Sequence, residues 1–82
     1  MSRDEIFAVV KANVLKVLPE VRAEDVTLES SLVELGANSV DRVEVMMFSM
    51  EALQLKIPRI EFHGVHSLAG LVDVLHSRAS NE

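Results

Sequence analysis

The sequence predicts an all-α fold: a small bundle of three main helices plus one short helix, with a long ordered loop after the first helix. Apolar residues recur at steps of three and four along three segments, and no segment shows sustained alternation with a period of two. The 82 residues suffice for one domain, expected over 1–82, and the 49% apolar content favours a folded chain over a disordered one.

The first helix is predicted over residues 4–17, followed by a loop over 18–38. The inner face of this helix is marked by residues at helical spacing, at Ile6, Val9/Val10, Asn13/Val14 and Val17. Pro19 ends the helix. The loop is long for a small domain, but it carries apolar anchors at Val21, Val26, Leu28, Leu32 and Leu35. We expect an ordered loop with one short helical turn near Ser31–Leu35.

The second helix is predicted over residues 39–53, where Val45 and Phe48 widen the apolar face beyond one stripe. Four apolar residues of this helix cannot all face one core, namely Met46, Met47, Phe48 and Met50. One or two of them are therefore expected to face outward, where methionine suits adaptable contact surfaces.

The C-terminal part is predicted to contain a short helix over residues 60–63 and the last helix over 67–78. Gly64 stops the short helix, and Ser67 caps the last one. The inner face of the last helix is expected at Leu68, Leu71, Val72 and Leu75. The tail from Ala79 onward is expected to fray.

Charge and composition exclude several classes of function. The net charge of −5, from 13 acidic residues against 8 lysines and arginines, argues against nucleic acid and favours basic patches on other proteins as partners. No apolar run approaches the roughly 20 residues that span a bilayer. Because the N-terminus is also acidic, unlike a signal peptide, we expect a cytoplasmic protein with no membrane partner. The absence of cysteine leaves the chain without a thiol of its own.

The candidate site is the start of the second helix, where Asn38 and Ser39 follow the break at Gly36. Most such pairs are only helix caps, which accept hydrogen bonds from the first amides. A serine held at or beside the cap also suits modification by another enzyme, because a phosphate ester there would lie near backbone amides and the positive end of the helix dipole. Asp41 and Glu44 follow where that dipole favours negative charge.

Catalysis and metal binding are not expected. Nucleophilic catalysis by Ser39 would need a nearby base, and no sequence pattern links it to the three histidines, His63, His66 and His76. His63 and His66 have a spacing that can serve a metal, but they have no obvious third ligand.

The stretch Gly36-Ala37-Asn38-Ser39-Val40 resembles the attachment motif of acyl carrier proteins. The resemblance covers nearly the full chain, including the anchored loop, Ile57-Pro58 and the short helix before Ser67. It implies a carrier, expected to be monomeric, whose Ser39 receives 4′-phosphopantetheine from coenzyme A through a separate phosphopantetheinyl transferase. The thiol of that arm would carry acyl groups as thioesters, and the second helix would dock on basic patches of partner enzymes.

Two residues depart from the usual motif and indicate a subfamily of carriers. Asn38 occupies a position where aspartate is usual, and Arg42 lies on a face that is usually acidic. The chain is similar to the donor carriers of polyketide β-branching cassettes. This implies an acetyl cargo, which a hydroxymethylglutaryl-CoA (HMG-CoA)-synthase-like enzyme adds to a polyketide on another carrier, and loading and decarboxylating enzymes as further partners. The implied docking residues are Asn38, Val40, Asp41, Arg42, Glu44, Met46 and Met47.

Three alternatives remain open from the sequence. The first is an ordinary carrier for fatty acid or main-line polyketide extension, and the second is an unmodified helical interaction module in which Ser39 is only a cap. The third is a hydrolase that pairs Ser39 with a histidine. For Arg42, the plainer interpretation is a solvated side chain that pairs with nearby acids.

Overall fold

The computed structural model describes residues 1–80, which form three α-helices and no strand. These are α1 (Arg3–Val17), α2 (Ser39–Leu53) and α3 (Leu68–Ser80). Two short 3-10 helices, Ala23–Asp25 and Arg59–Phe62, lie in the connections. Because α1 packs against both α2 and α3, it forms the centre of the bundle. The all-α class predicted from the sequence is confirmed, with one short helix more than expected.

The helix α1 begins with a capping box. The Ser2 hydroxyl accepts a hydrogen bond from the Glu5 amide at 3.1 Å, and the Glu5 carboxylate accepts one from the Ser2 amide at 2.8 Å. The Ser2 amide, which donates to the carboxylate, and then the Ser2 hydroxyl beside it lower the pKa of the Glu5 carboxyl from its ordinary value, because both favour the charged form. Along the helix, three residues at four-residue spacing are completely buried: Ile6, Val10 and Val14.

The loop between α1 and α2 is ordered, and it contains the single helical turn predicted near Ser31–Leu35. The Leu35 amide donates to the Ser31 carbonyl at 3.0 Å, which closes one helical turn, and a further short helix that was not predicted lies at Ala23–Asp25. The turn does not extend into a helix because it meets Gly36, whose φ of 99° lies in the left-handed region that favours glycine. This residue reverses the chain before a helix can propagate from the turn.

Carbonyl groups of the same loop cap the start of α3. The Leu68 amide donates to the Ser30 carbonyl at 2.9 Å, and the Ala69 amide donates to the Leu28 carbonyl at 2.8 Å. The Ser67 hydroxyl accepts from a third amide of the helix at 3.2 Å, which agrees with its prediction as a cap. Three amides that lack a partner inside the helix are thus satisfied, and the loop is fixed to α3.

Several boundaries differ from the predicted ones. The helix α1 starts one residue earlier, and the short helix spans Arg59–Phe62 instead of 60–63. The helix α3 starts at Leu68 and continues through Ser80, where fraying was expected, because Ala79 packs against the core. Asn81 and Glu82, the end of the predicted tail, lie outside the described residues.

The core between the helices is formed mostly by aliphatic side chains. Its buried apolar residues are Ile6, Val10, Val14, Leu18, Val26, Ala37, Val45, Leu55, Ile57, Leu68, Leu71, Val72 and Leu75. A buried polar residue, Ser49 of α2, accepts a hydrogen bond from the side-chain amide of Asn13 in α1 at 3.2 Å. This bond satisfies the Ser49 hydroxyl at the α1–α2 contact. Within residues 1–80, no helix is long and apolar enough to cross a membrane.

Candidate functional site

Asn38, and not Ser39, caps α2. The Asn38 side-chain oxygen accepts from the Asp41 amide at 2.8 Å, and the Asp41 carboxylate accepts from the Asn38 amide at 3.1 Å. This is a capping box with asparagine in the usual place of serine or threonine. Ser39 is the first residue of the helix and is exposed. The sequence alone left open that Ser39 caps the helix, but in the structure its hydroxyl does not have this role.

The direction of Ser39 is set by the residues before it. Gly36 turns the chain, and Ala37 is 5% exposed, with its amide donating to the Leu32 carbonyl at 2.9 Å. The buried Ala37 anchors the backbone immediately before the exposed pair Asn38 and Ser39. The serine is thus held at the surface by a fixed turn and a capped helix.

Arg42 contacts Ser39 from the next turn of the helix. One terminal nitrogen of its guanidinium donates to the Ala37 carbonyl at 3.1 Å, and the other donates to the Ser39 hydroxyl oxygen at 3.4 Å. Within residues 1–80 the ion pairs involve other arginines, namely Arg3 with Asp73, Arg22 with Glu24, and Arg78 with Glu61. The interpretation of Arg42 as a solvated residue that pairs with nearby acids is therefore wrong.

Ser39 lies at the edge of a groove of about 520 Å³ between α2, the 3-10 helix Arg59–Phe62 and the start of α3. The groove is lined by apolar side chains, including Val43, Met46, Ile60 and Leu71. Its polar lining residues are Ser39, Arg42, Arg59, His63, His66 and Ser67. Among the described residues that line it, none carries a carboxylate, although the whole chain has a net charge of −5. The groove thus combines apolar walls with positive charge.

The other predicted site residues spread along α2. Val40 is 66% exposed and Met47 is 54% exposed, so the prediction that one or two large apolar residues of this helix face outward is confirmed by Met47. Met46 is half-buried and lines the groove. Asp41 and Glu44 are half-buried as well. These residues do not form one cluster, because Met46 faces the groove whereas Val40 and Met47 face solvent.

The histidines do not form a catalytic pair or a metal site with the described residues. His63 and His66 line the same groove as Ser39, but the side-chain hydrogen bond of Ser39 in residues 1–80 is with Arg42. His76 lies on α3, away from the α2 start in the chain. In the part of the chain that the structure describes, no three histidine, aspartate or glutamate side chains are placed to hold a metal ion.

Residues 8–75 match the family described as the phosphopantetheine attachment site. The chain belongs to the acyl carrier protein family. It is 43% identical over 81 residues to the polyketide biosynthesis acyl-carrier-protein AcpK of Bacillus subtilis (strain 168), with 99% of both chains covered. This confirms the carrier predicted from the sequence and 4′-phosphopantetheine as its cofactor. Members of this family carry substrates and are not themselves catalytic.

A similar fold occurs in the crystal structure of the Curacin biosynthetic pathway HMG synthase in complex with acetyl donor-ACP. The match has a TM-score of 0.86 and 34% identity, and it covers 94% of the present chain and 99% of the matched chain. The likeness therefore extends over all three helices of the carrier.

Sequence reasoning missed most of the groove. Val33 and Ile60 are 61% and 79% exposed and line it from the loop and the short helix. Arg59 lines it as well. The available signal was the apolar character of Ile60 between two charged neighbours and of Val33 before an acidic one, but the sequence spacing does not reveal that the two residues share one groove with Ser39.

Proposed function

We propose that this protein is the acetyl donor carrier of a polyketide β-branching system, with 4′-phosphopantetheine attached to Ser39. An HMG-CoA-synthase-like enzyme takes the acetyl group and adds it to the β-ketone of a polyketide on another carrier. The observation that carries the proposal is the full-length likeness to a chain crystallised in an HMG synthase complex with acetyl donor-ACP. The similarity to a polyketide biosynthesis carrier supports it.

Three features of the chain fit attachment at Ser39. Its hydroxyl is exposed at the first residue of α2, the capping role is filled by Asn38, and the groove beside it contains no carboxylate among the described lining residues. In the transferase, the Ser39 hydroxyl loses its proton and its oxygen bonds to the pantetheine phosphate, while the pyrophosphate link of coenzyme A breaks and adenosine 3′,5′-bisphosphate leaves. The arm then supplies the terminal thiol that holds acyl groups as thioesters, which a chain without cysteine otherwise lacks.

Besides the synthase, the proposed partners of the carrier are the phosphopantetheinyl transferase and the loading and decarboxylating enzymes of the cassette. The carrier acts as a monomer in the cytoplasm, where coenzyme A is available to the transferase.

The proposed docking surface comprises the solvent-facing side of α2 and the adjoining wall of the groove, which Arg42 and Met46 line. Its residues are Asn38, Val40, Asp41, Arg42, Glu44, Met46 and Met47. Val40 and Met47 offer exposed apolar area, which is suited to the centre of an interface. Asp41 and Glu44 offer negative charge to basic partner surfaces. Because the Asp41 carboxylate already accepts from the Asn38 amide, we expect Glu44 to contribute more to steering than Asp41.

The first stage of the test is loading. Wild type and Ser39→Ala are incubated with coenzyme A, Mg²⁺ and a promiscuous phosphopantetheinyl transferase, and intact mass is measured. Wild type should gain one phosphopantetheine, and Ser39→Ala should gain none while remaining folded, because Asn38 caps the helix. Equal gain in both proteins would contradict attachment at Ser39. If neither gains mass, Asn38→Asp tests whether the missing aspartate alone closes the site to this transferase.

The second stage offers the acetyl-loaded carrier to an HMG-CoA-synthase-like enzyme with its acceptor carrier, and the unloaded holo form to a malonyl transferase and ketosynthase. Faster transfer to the synthase is expected, whereas preference for the second set would support an ordinary carrier. Met47→Ala and Glu44→Gln should slow transfer to the synthase. Glu20→Gln, which removes an exposed acid outside α2, is the charge-matched control and should leave the rate unchanged.

A further inference from the structure

Arg42 lies where a helix disfavours a cation. It is the fourth residue of α2, and because helical side chains lean toward the N-terminus, its guanidinium reaches back to the start of the helix. There it contacts the Ala37 carbonyl and the Ser39 hydroxyl, beside the first amides and the positive end of the helix dipole. An anion would be the more favourable occupant of this position.

Among residues 1–80, no carboxylate forms an ion pair with this guanidinium. Nor does any of the described residues that line the groove carry a carboxylate. Asp41, the nearest acid along the chain, directs its carboxylate to the Asn38 amide. Both contacts of the guanidinium are with neutral oxygen atoms, and a guanidinium has more N–H donors than these two contacts use.

We propose that Arg42 binds the phosphodiester of the phosphopantetheine on Ser39, an inference that rests on the proposed attachment at this serine. The phosphorus would be bonded directly to the Ser39 oxygen, which already lies 3.4 Å from the guanidinium. The two free phosphate oxygens would then lie near the planar fork, which can bind them in a bidentate manner. Arg42 is therefore a positioning residue that holds the base of the arm at the edge of the groove.

This assignment gives Arg42 a role within its own chain before any partner is bound. In the unloaded protein, Arg42 presents a free cation at the start of α2. In the loaded protein, the phosphate neutralises that cation. Arg42 would thus contribute differently to the surface that the transferase meets and to the surface that the synthase meets.

The test compares wild type with Arg42→Gln, Arg42→Lys and a matched control, Arg59→Gln, which removes an arginine that lines the same groove from another element. All four are loaded with coenzyme A and the transferase, and loading is verified by intact mass. The ³¹P resonance of the phosphodiester and the difference in Tm between loaded and unloaded protein are then measured at low and high salt.

We expect loading to raise the Tm of wild type and Arg59→Gln at low salt, and we expect high salt to reduce this gain because an exposed ion pair is screened. Arg42→Gln should lose the gain and shift the ³¹P resonance, and Arg42→Lys should keep part of the gain, since it retains the charge but not the fork. The inference is overturned if Arg42→Gln loads fully and matches wild type in both measurements, or if only Arg59→Gln differs.

Failure of the underlying attachment is distinguishable, because wild type would then gain no mass. Should Arg42→Gln fail to load, ¹⁵N-labelled wild type answers the question alone. The side-chain N–H resonance of Arg42 should move and become protected from exchange on loading, whereas that of Arg59 should not. An unchanged Arg42 resonance would overturn the inference.

Discussion

The helices α1 and α2 have the same length, 15 residues, and both begin with a capping box, yet they serve different purposes. The first buries Ile6, Val10 and Val14 completely. The second buries only Val45 and Ser49 and leaves Met47 more than half exposed. The same capping chemistry therefore starts both α1, a scaffold helix, and α2, a display helix that presents side chains to solvent. The two helices differ in how much apolar surface each buries in the core.

The largest effect that can test this contrast is the loss of a core side chain. Ile6→Ala should lower the free energy of unfolding by about 2–5 kcal/mol, because it removes buried methyl groups and leaves a cavity. Met47→Ala, on the display helix, should change it by about 0.5 kcal/mol or less. Urea denaturation of both variants provides the measurement. Similar losses in the two would mean that Met47 packs as firmly as Ile6, and the contrast would not hold.

A smaller effect comes from the two caps, where the helices are alike. Ser2→Ala and Asn38→Ala should each lower the free energy of unfolding by about 1 kcal/mol, since each leaves a helix amide without its partner. Only Asn38→Ala should also slow loading by the transferase, because Asn38 fixes the backbone of Ser39. Denaturation and the time course of mass gain give the two readouts. Asn38→Asp is the control, because aspartate caps a helix about as well as asparagine does. Slower loading of Ser2→Ala would argue against this distinction between the α1 cap and the α2 cap.

The smallest effect is the pH dependence of the α1 capping box. The Ser2 hydrogen bonds lower the folded-state pKa of Glu5 below its ordinary value of 4.5. The stability that this lowering contributes is therefore present above pH 4.5 and is lost as the pH falls through the lowered pKa. Wild type should lose more Tm over that range than Glu5→Gln, measured by thermal unfolding at a series of pH values. Identical profiles would mean that the box does not form in solution.

The sequence predicted the features that depend on local pattern. Helical periodicity located the three helices, and the Gly36-to-Val40 stretch located the candidate site, because capping and turn preferences act over a few residues. The Ser67 cap was predicted for the same reason. The position of Ala23–Asp25, by contrast, was missed, since the apolar anchors of the loop indicate that it packs but not which of its residues turn.

The groove and the contacts of Arg42 could not be predicted in this way. The groove is built from the loop, α2, the Arg59–Phe62 helix and the start of α3, and no periodic pattern relates segments that meet only in three dimensions. For Arg42, the sequence offered neighbouring acids as partners, but the side chain reaches a backbone carbonyl and a serine. Backbone acceptors have no sequence signature, so such a contact requires the folded chain.

The hydrogen bonds from Leu68 and Ala69 to the loop have a consequence for how the molecule opens. The first amides of a helix ordinarily exchange their protons with solvent early, because they have no partner inside the helix. Here those two protons are held by carbonyls about 40 residues earlier in the chain, at Leu28 and Ser30. Loop and helix are thereby joined into one cooperative unit, so the connection that looks most like a flexible linker cannot detach without loosening the first turn of α3.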